Sequence, residues 1–215
     1  MRTLTLAIVL SMACVAAADV RQTIVEAHGV DRFEQIVQID FTFNVERDGE
    51  LKASRVWSWR PHDQTVRRTV DGQTVSYSRA DIAGDAVAVD RQWINDTFWL
   101  LPALHLQWAS DDVIIADEGA AAMPIGEGNA RRVVVTYPSD GGGYTPGDVY
   151  ELFIDDAGLI RAWHFRRGGQ AKPSLTNTFS DYLTAGPLKI AAEHRNADGS
   201  FRLYFTDVHV VTTSD

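Results

Sequence analysis

The stretch from Trp93 to Trp108, WINDTFWLLPALHLQW, is the longest apolar run beyond the N-terminus that does not alternate, and it sits between two long regions that do. From Phe33 to Arg79 and from Arg131 to Val211, apolar residues recur at every second position, with turn signals between the runs. That is the pattern of antiparallel strands with one buried face. The fold class that follows is mainly β with a few helices: a curved antiparallel sheet, unclosed, with one aromatic helical element as its plug. Trp93, Leu100, Leu101, Leu104 and Trp108 share a helical face while Pro102 blocks an uninterrupted helix, so a helix to about Leu101 and then a kink is expected.

Met1 to Ala18 has one early positive charge, Arg2, an apolar core from Leu4 to Val15, and small residues ending Ala16-Ala17-Ala18. This reads as a secretory signal peptide cleaved after Ala18. The single cysteine, Cys14, lies inside it. Lipidation of Cys14 is the lesser alternative, because Ser11 stands where lipoprotein signals usually place an aliphatic residue. Cleavage after Ala18 leaves no cysteine for disulfides, thiol catalysis or thiolate metal sites. Residues 19–215 have the size of one domain and show no linker, so a single domain is expected. No later stretch suits a membrane-spanning helix, since the plug contains Asn95, Asp96, Pro102, His105 and Gln107. A net charge of −9 without a basic cluster argues against nucleic acid and anionic membrane surfaces. The expected product is a soluble periplasmic protein and a monomer.

In chain order, Val20, Ile24, Ala27 and His28 predict a short amphipathic helix, with Asp19 as cap and Gly29 as stop. Phe33 to Val45 then alternate as a strand, and Leu51 to Arg60 return with Arg55, Trp57 and Trp59 on one face. Asp71-Gly72 predicts a tight hairpin between Gln64–Val70 and Gln73–Arg79. Asp112 to Ala116 reads as a short strand followed by loop through Gly128. Arg131 to Tyr137 is a β-branched strand, and Gly141-Gly142-Gly143 marks a flexible connection. A meander follows: Tyr150 to Ile154, Leu159 to Arg166, Leu175 to Leu183, Leu188 to Arg195 and Phe201 to Val211. So many strands require a single sheet to curl or close.

The stretches FEQIVQIDFTF, VYELFIDDAGLIRAWHFRR and FSDYLTAGPLKIAAEHRNADGSFRLYFTDVHV, placed after a signal peptide and a leading helix, give a layout that resembles the LolA/LolB-like family of periplasmic lipoprotein-sorting proteins. The resemblance covers most of the mature chain. It implies an unclosed half-barrel covered by helices, whose concave apolar face holds a lipid or other amphiphile such as a lipoprotein acyl chain.

For that face the candidates are Phe41, Phe43, Trp57, Trp59, Trp93, Trp99, Phe153, Trp163 and Phe165. They either line an open cavity or fill it as core. Arg161 is the candidate for a ligand head group, with Arg55 and Arg166 or Arg167 as further arginines able to pair with a carboxylate or phosphate; the alternative for each is a solvated strand face. The six histidines show no metal-ligand spacing, so neither metal nor cofactor is expected. No nucleophile motif and no phosphate loop occurs, which argues against an enzyme. Asn95-Asp96-Thr97 reads as a helix-start cap. Two functions remain open: an exported carrier of an amphipathic ligand, and a packed envelope protein that binds another protein.

Overall fold

The computed structural model describes residues 20–140, 144 and 146–214. The signal segment Met1 to Ala18, Asp19 and the Gly141-Gly142-Gly143 run lie outside the described residues. Twelve strands among the described residues form two antiparallel sheets, neither closed on itself. The sequence pattern predicts one sheet; the strands are divided because the chain changes sheet at Phe179, between β9 (Leu175–Thr178) and β10 (Ser180–Ala185). The described residues fall into two compact units. One takes the N-terminal helix and Leu106–Asn177, the other Gly29–His105 and the chain from Thr178 onward.

The second unit holds the seven-stranded sheet, ordered β10, β11 (Leu188–Arg195), β12 (Phe201–Thr212), β1 (Ile36–Arg47), β2 (Glu50–Arg60), β3 (Thr65–Val70) and β4 (Gln73–Ser78). Its register sets Ile39 opposite Trp59, Phe41 opposite Trp57, and Phe43 between Phe205 and Arg55. Because side chains alternate, these rows gather the aromatics on one face. The Asp71-Gly72 turn forms as the sequence predicts, with φ of 49° and 75°. Helix α2 (Ala86–Leu100) packs on the aromatic face; it buries Trp93, Thr97 and Leu100 with two carboxylates, Asp90 and Asp96. It stops where Pro102 disfavours helical backbone at Leu101, and Pro102 then opens the short helix α3 (Pro102–Gln107). This is the kink that the sequence predicts.

The opposite face of β1 departs from simple alternation. Thr42 and Asn44 are buried there as well. A bulge in β12, with Asp207 at φ 53°, lets its carboxylate accept the Thr42 hydroxyl at 3.0 Å, and Asn44 accepts the Ser54 hydroxyl at 2.8 Å.

The first unit holds the five-stranded meander β5 (Ile114–Ala122), β6 (Asn129–Thr136), β7 (Val149–Ile154), β8 (Ile160–Arg166) and β9. Strand β5 runs well past the predicted end at Ala116, through residues whose small side chains give no alternating signal. A bulge between Asp117 and Ala120 absorbs the glycine, whose amide donates to Asp117 Oδ1 at 3.0 Å. The leading helix α1 spans residues 20–27 and buries Val20, Ile24 and Val25. It passes so close to the β7–β8 turn that a Cβ at Gly158, already at φ 82°, would lie 3.0 Å from Thr23 and Ala27.

A cleft beside helix α2

Six of the nine aromatic candidates share the interior of the seven-stranded unit, and all six are buried. Their rings touch one another: Phe41 lies 5.9 Å from Phe205 and 6.5 Å from Trp57, and Trp59 lies 5.0 Å from Trp93 and 5.4 Å from Phe33. Phe43 meets Phe205 edge-on at 5.8 Å, and Trp99 lies 6.0 Å from Phe201. These are packing distances for aromatic pairs, so the rings fill the space beneath α2. Trp163 and Phe165 surround Tyr150 on one face of the five-stranded sheet, at 5.3 and 5.0 Å. Phe153 points to the other face of that sheet, against Ala130 and Ala162. Arg161 sits at the start of β8 and pairs with Asp155 at 2.7 Å across the turn.

Two carboxylates that sequence reasoning missed hold α2 to its sheet. Asp96 Oδ2 accepts from Arg55 Nε at 2.7 Å and Trp57 Nε1 at 2.8 Å, while Oδ1 accepts from Arg55 Nη2 at 2.7 Å and Asn95 Nδ2 at 3.0 Å. Asp90 Oδ1 accepts from the Tyr77 hydroxyl at 2.9 Å and Arg79 Nε at 3.0 Å. Each guanidinium also lies over a ring, Arg55 over Phe43 at 4.4 Å and Arg79 over Trp93 at 4.0 Å. Burial pushes the Asp96 carboxyl above its ordinary value, against the opposing pull of Arg55, Asn95 and Trp57. Asn95-Asp96-Thr97 therefore lies in the body of the helix, where Thr97 returns its hydroxyl to Trp93 O at 2.9 Å, and does not cap a helix start. For Asp90 the available signal was spacing: Asp90, Trp93, Thr97 and Leu100 recur at three or four residues and lie on one stripe.

The helix does not cover the whole aromatic face. Along β2, Trp57 and Trp59 are buried, Ala53 and Arg55 half-buried, and Leu51 is 57% exposed. At this uncovered end lies a cleft of about 360 Å³, lined by Leu51, Ala53, Arg55, Arg68, Val70 and Gln92 among others. Leu51, Ala53 and Val70 give it an aliphatic patch, beside Lys52, Ser54 and the Asp71 carboxylate. Its wall toward α2 carries two guanidinium groups: Arg55, held on Asp96, and Arg68, whose Nη1 donates to Gln92 Oε1 at 2.6 Å while its buried Nε has no partner. An aliphatic patch with cationic donors at one side suits the junction of a hydrocarbon chain and an anionic head.

The remaining polar clusters serve the fold. His194 is enclosed by Phe179, Trp99 and Phe205, and its Nδ1 lies 3.1 Å from Thr178 O; burial lowers it to about 3. His105 stacks on Phe98 with Nε2 3.1 Å from the Thr97 hydroxyl, and burial, aided by Arg79, lowers it to about 3. On the five-stranded sheet the buried Glu151 pairs with Arg166 and Arg132, and His164 Nδ1 lies 2.8 Å from Thr176 Oγ1. No group of three or more His, Cys, Asp or Glu able to hold a metal occurs among the described residues. No helix among them is long and apolar enough to cross a membrane.

No protein-family model and no curated protein sequence matches the chain. Among solved structures its fold is similar to a DUF1329 family protein from Desulfovibrio piger, with a TM-score of 0.49 and 11% identity over 90% of this chain and 92% of that one. It is also similar to a LolA superfamily protein from Nitrosomonas europaea, with a TM-score of 0.48 and 11% identity over 88% and 93%.

Proposed function

We propose that the chain is an exported, periplasmic binding protein that holds an amphipathic, lipid-like ligand at the uncovered end of the seven-stranded sheet. The observation that supports it is the α2 cleft, where Leu51, Ala53 and Val70 offer an aliphatic patch beside Arg55 and Arg68. A volume of about 360 Å³ is at the small end of ligand sites. It accommodates an anionic head and the first methylenes, each worth about 0.8 kcal/mol on burial. Arg68 replaces Arg161 as the first choice for the head group, since Arg161 is engaged by Asp155 outside this unit.

Saturation binding of a fluorescent fatty acid to the mature protein tests the reading. Saturable uptake that weakens about tenfold in Arg68→Gln and in Leu51→Glu is expected, an effect of about 1.4 kcal/mol. Uptake that is absent, or indifferent to both changes, overturns it.

The second reading is a packed envelope protein that binds another protein. The ring-to-ring contacts of Phe41, Phe43, Trp57, Trp59 and Trp93 favour it, because a filled interior leaves no room for an acyl chain beneath α2.

A further inference from the structure

The face of the seven-stranded sheet turned away from α2 carries a second cleft, of about 310 Å³. Its walls follow from register. His209, Asp40, Ser58, Arg67 and Ser76 stand directly opposite one another across β12, β1, β2, β3 and β4. The neighbouring row runs Thr206, Thr42, Val56, Thr69 and Thr74 across the same strands. Directly opposed residues share a face, and these positions alternate with Phe41 and Trp57, so both rows lie on the side away from the aromatics. Gln38, Asp40, Ser58, Arg67, Thr69 and Thr74 line the cleft, and Val56, 49% exposed, supplies an aliphatic patch in its floor.

The two charges in this cleft are not used on each other. In this unit Arg55, Arg60, Arg79, Arg195 and Arg202 each hold a carboxylate. The Arg67 side chain, among the described residues, has no hydrogen bond, ion pair or ring contact. Asp40 is two strands away, about 10 Å between backbones at the usual strand spacing. Among the described residues its carboxylate oxygens accept only the Gln38 amide, at 3.0 and 2.8 Å. An ionised carboxylate offers about four acceptor positions, so Asp40 keeps capacity for an ammonium donor. The Arg67 fork matches a phosphate or carboxylate in bidentate fashion. Between them stands the Ser58 hydroxyl, with the Thr69 and Thr74 hydroxyls, 2.8 Å apart, to one side.

We propose that this cleft is a second binding site, separate from the α2 cleft, for a small zwitterion carrying a primary ammonium a few atoms from a phosphate or carboxylate. The ammonium sits on Asp40, the oxyanion on Arg67, and the hydroxyl groups bind the atoms that join them. A ligand with only one of the charges gains half of these contacts.

The test uses O-phosphoethanolamine, titrated into the ¹⁵N-labelled mature protein and followed by amide shifts. Saturable shifts confined to Gln38–Thr42, Val56–Ser58 and Arg67–Thr69 are expected. Arg67→Gln and Asp40→Asn should each weaken binding by about tenfold or more, as should replacing the probe by ethanolamine or inorganic phosphate. Both variants change accessible side chains and should unfold at the unmodified protein's temperature, which separates lost binding from lost fold. Absence of saturable shifts, shifts unchanged by Arg67→Gln, or equal binding of inorganic phosphate overturns the proposal. Sedimentation with vesicles with and without phosphatidylethanolamine then identifies the source: Arg67-dependent retention on the first alone marks a lipid head group, and no retention marks a free zwitterion. Arg68→Gln, which disables the α2 cleft, should leave all these results unchanged, so the two sites fail independently.

Discussion

At the scale of single residues, Asp96 has the largest consequence. It is fully buried, and four donor contacts from Arg55, Trp57 and Asn95 converge on it. Asp96→Ala leaves the Arg55 guanidinium and the Trp57 indole N–H without their acceptor. Chemical denaturation should show a loss of about 3–5 kcal/mol, as for other broken buried pairs. Asp96→Asn, which keeps one acceptor oxygen, should lose less. The residue was not legible from sequence because its partners lie 41 and 39 positions upstream on another strand, whereas its immediate neighbours look like a cap. His105 and His194 carry a second consequence. Both are held near 3 by burial, well below the ordinary 6.5 that they regain on unfolding. Below pH 6.5 the unfolded chain therefore binds protons that the folded one refuses, and stability falls as the pH drops toward 3. The slope is about 1.4 kcal/mol per pH unit for each histidine. Thermal unfolding should move to lower temperature between pH 7 and pH 5, and the shift should be smaller in His194→Phe.

At the scale of elements, the period-two alternation from Val37 to Val45 and from Leu51 to Arg60 was enough to place β1 and β2 and to align their aromatics, because one buried face imposes that period on the sequence. Phe33, expected at the start of that strand, instead lies in a short 3-10 helix, Val30–Gln35, and β1 begins at Ile36. Asp-Gly chemistry placed the β3–β4 turn, and Pro102 placed the break between α2 and α3. The elements that escaped are those whose determinants are not periodic. Strand β5 is rich in alanine and glycine, and the change of sheet between β9 and β10 occurs inside one continuous β-type run. The connection from α1 into β1 depends on a contact that sequence does not display. A Cβ at Gly29, whose φ is 70°, would stand 1.8 Å from the Pro187 carbonyl oxygen, the same carbonyl that accepts Arg32 Nη2 at 3.1 Å. Gly29→Ala should therefore lose about 1–3 kcal/mol through strain and displacement of the β10–β11 turn, measurable as a lower denaturation midpoint.

At the scale of the whole molecule, the mainly β class, the antiparallel pairing and the few helices were all written in alternation and turn chemistry. The candidate site was legible only in outline. The aromatics read as possible cavity walls pack against one another, since a run of large rings specifies burial but not whether a gap is left between them. Arg55 was among the arginines considered for a ligand's head group and Arg68 was not; the cleft that joins them exists because α2 ends its cover short of Leu51, a matter of helix placement rather than composition. The net charge of −9 leaves these guanidinium groups as local cationic points on an acidic chain, which favours a ligand small enough to reach them over a polyanion. The measurement that tests this account most directly is native mass spectrometry of the mature protein prepared gently from its envelope fraction, with solvent extraction of anything released. The account predicts a stoichiometric lipid-like adduct that is lost in Arg68→Gln. A clean apoprotein that also takes up no fluorescent fatty acid would contradict it.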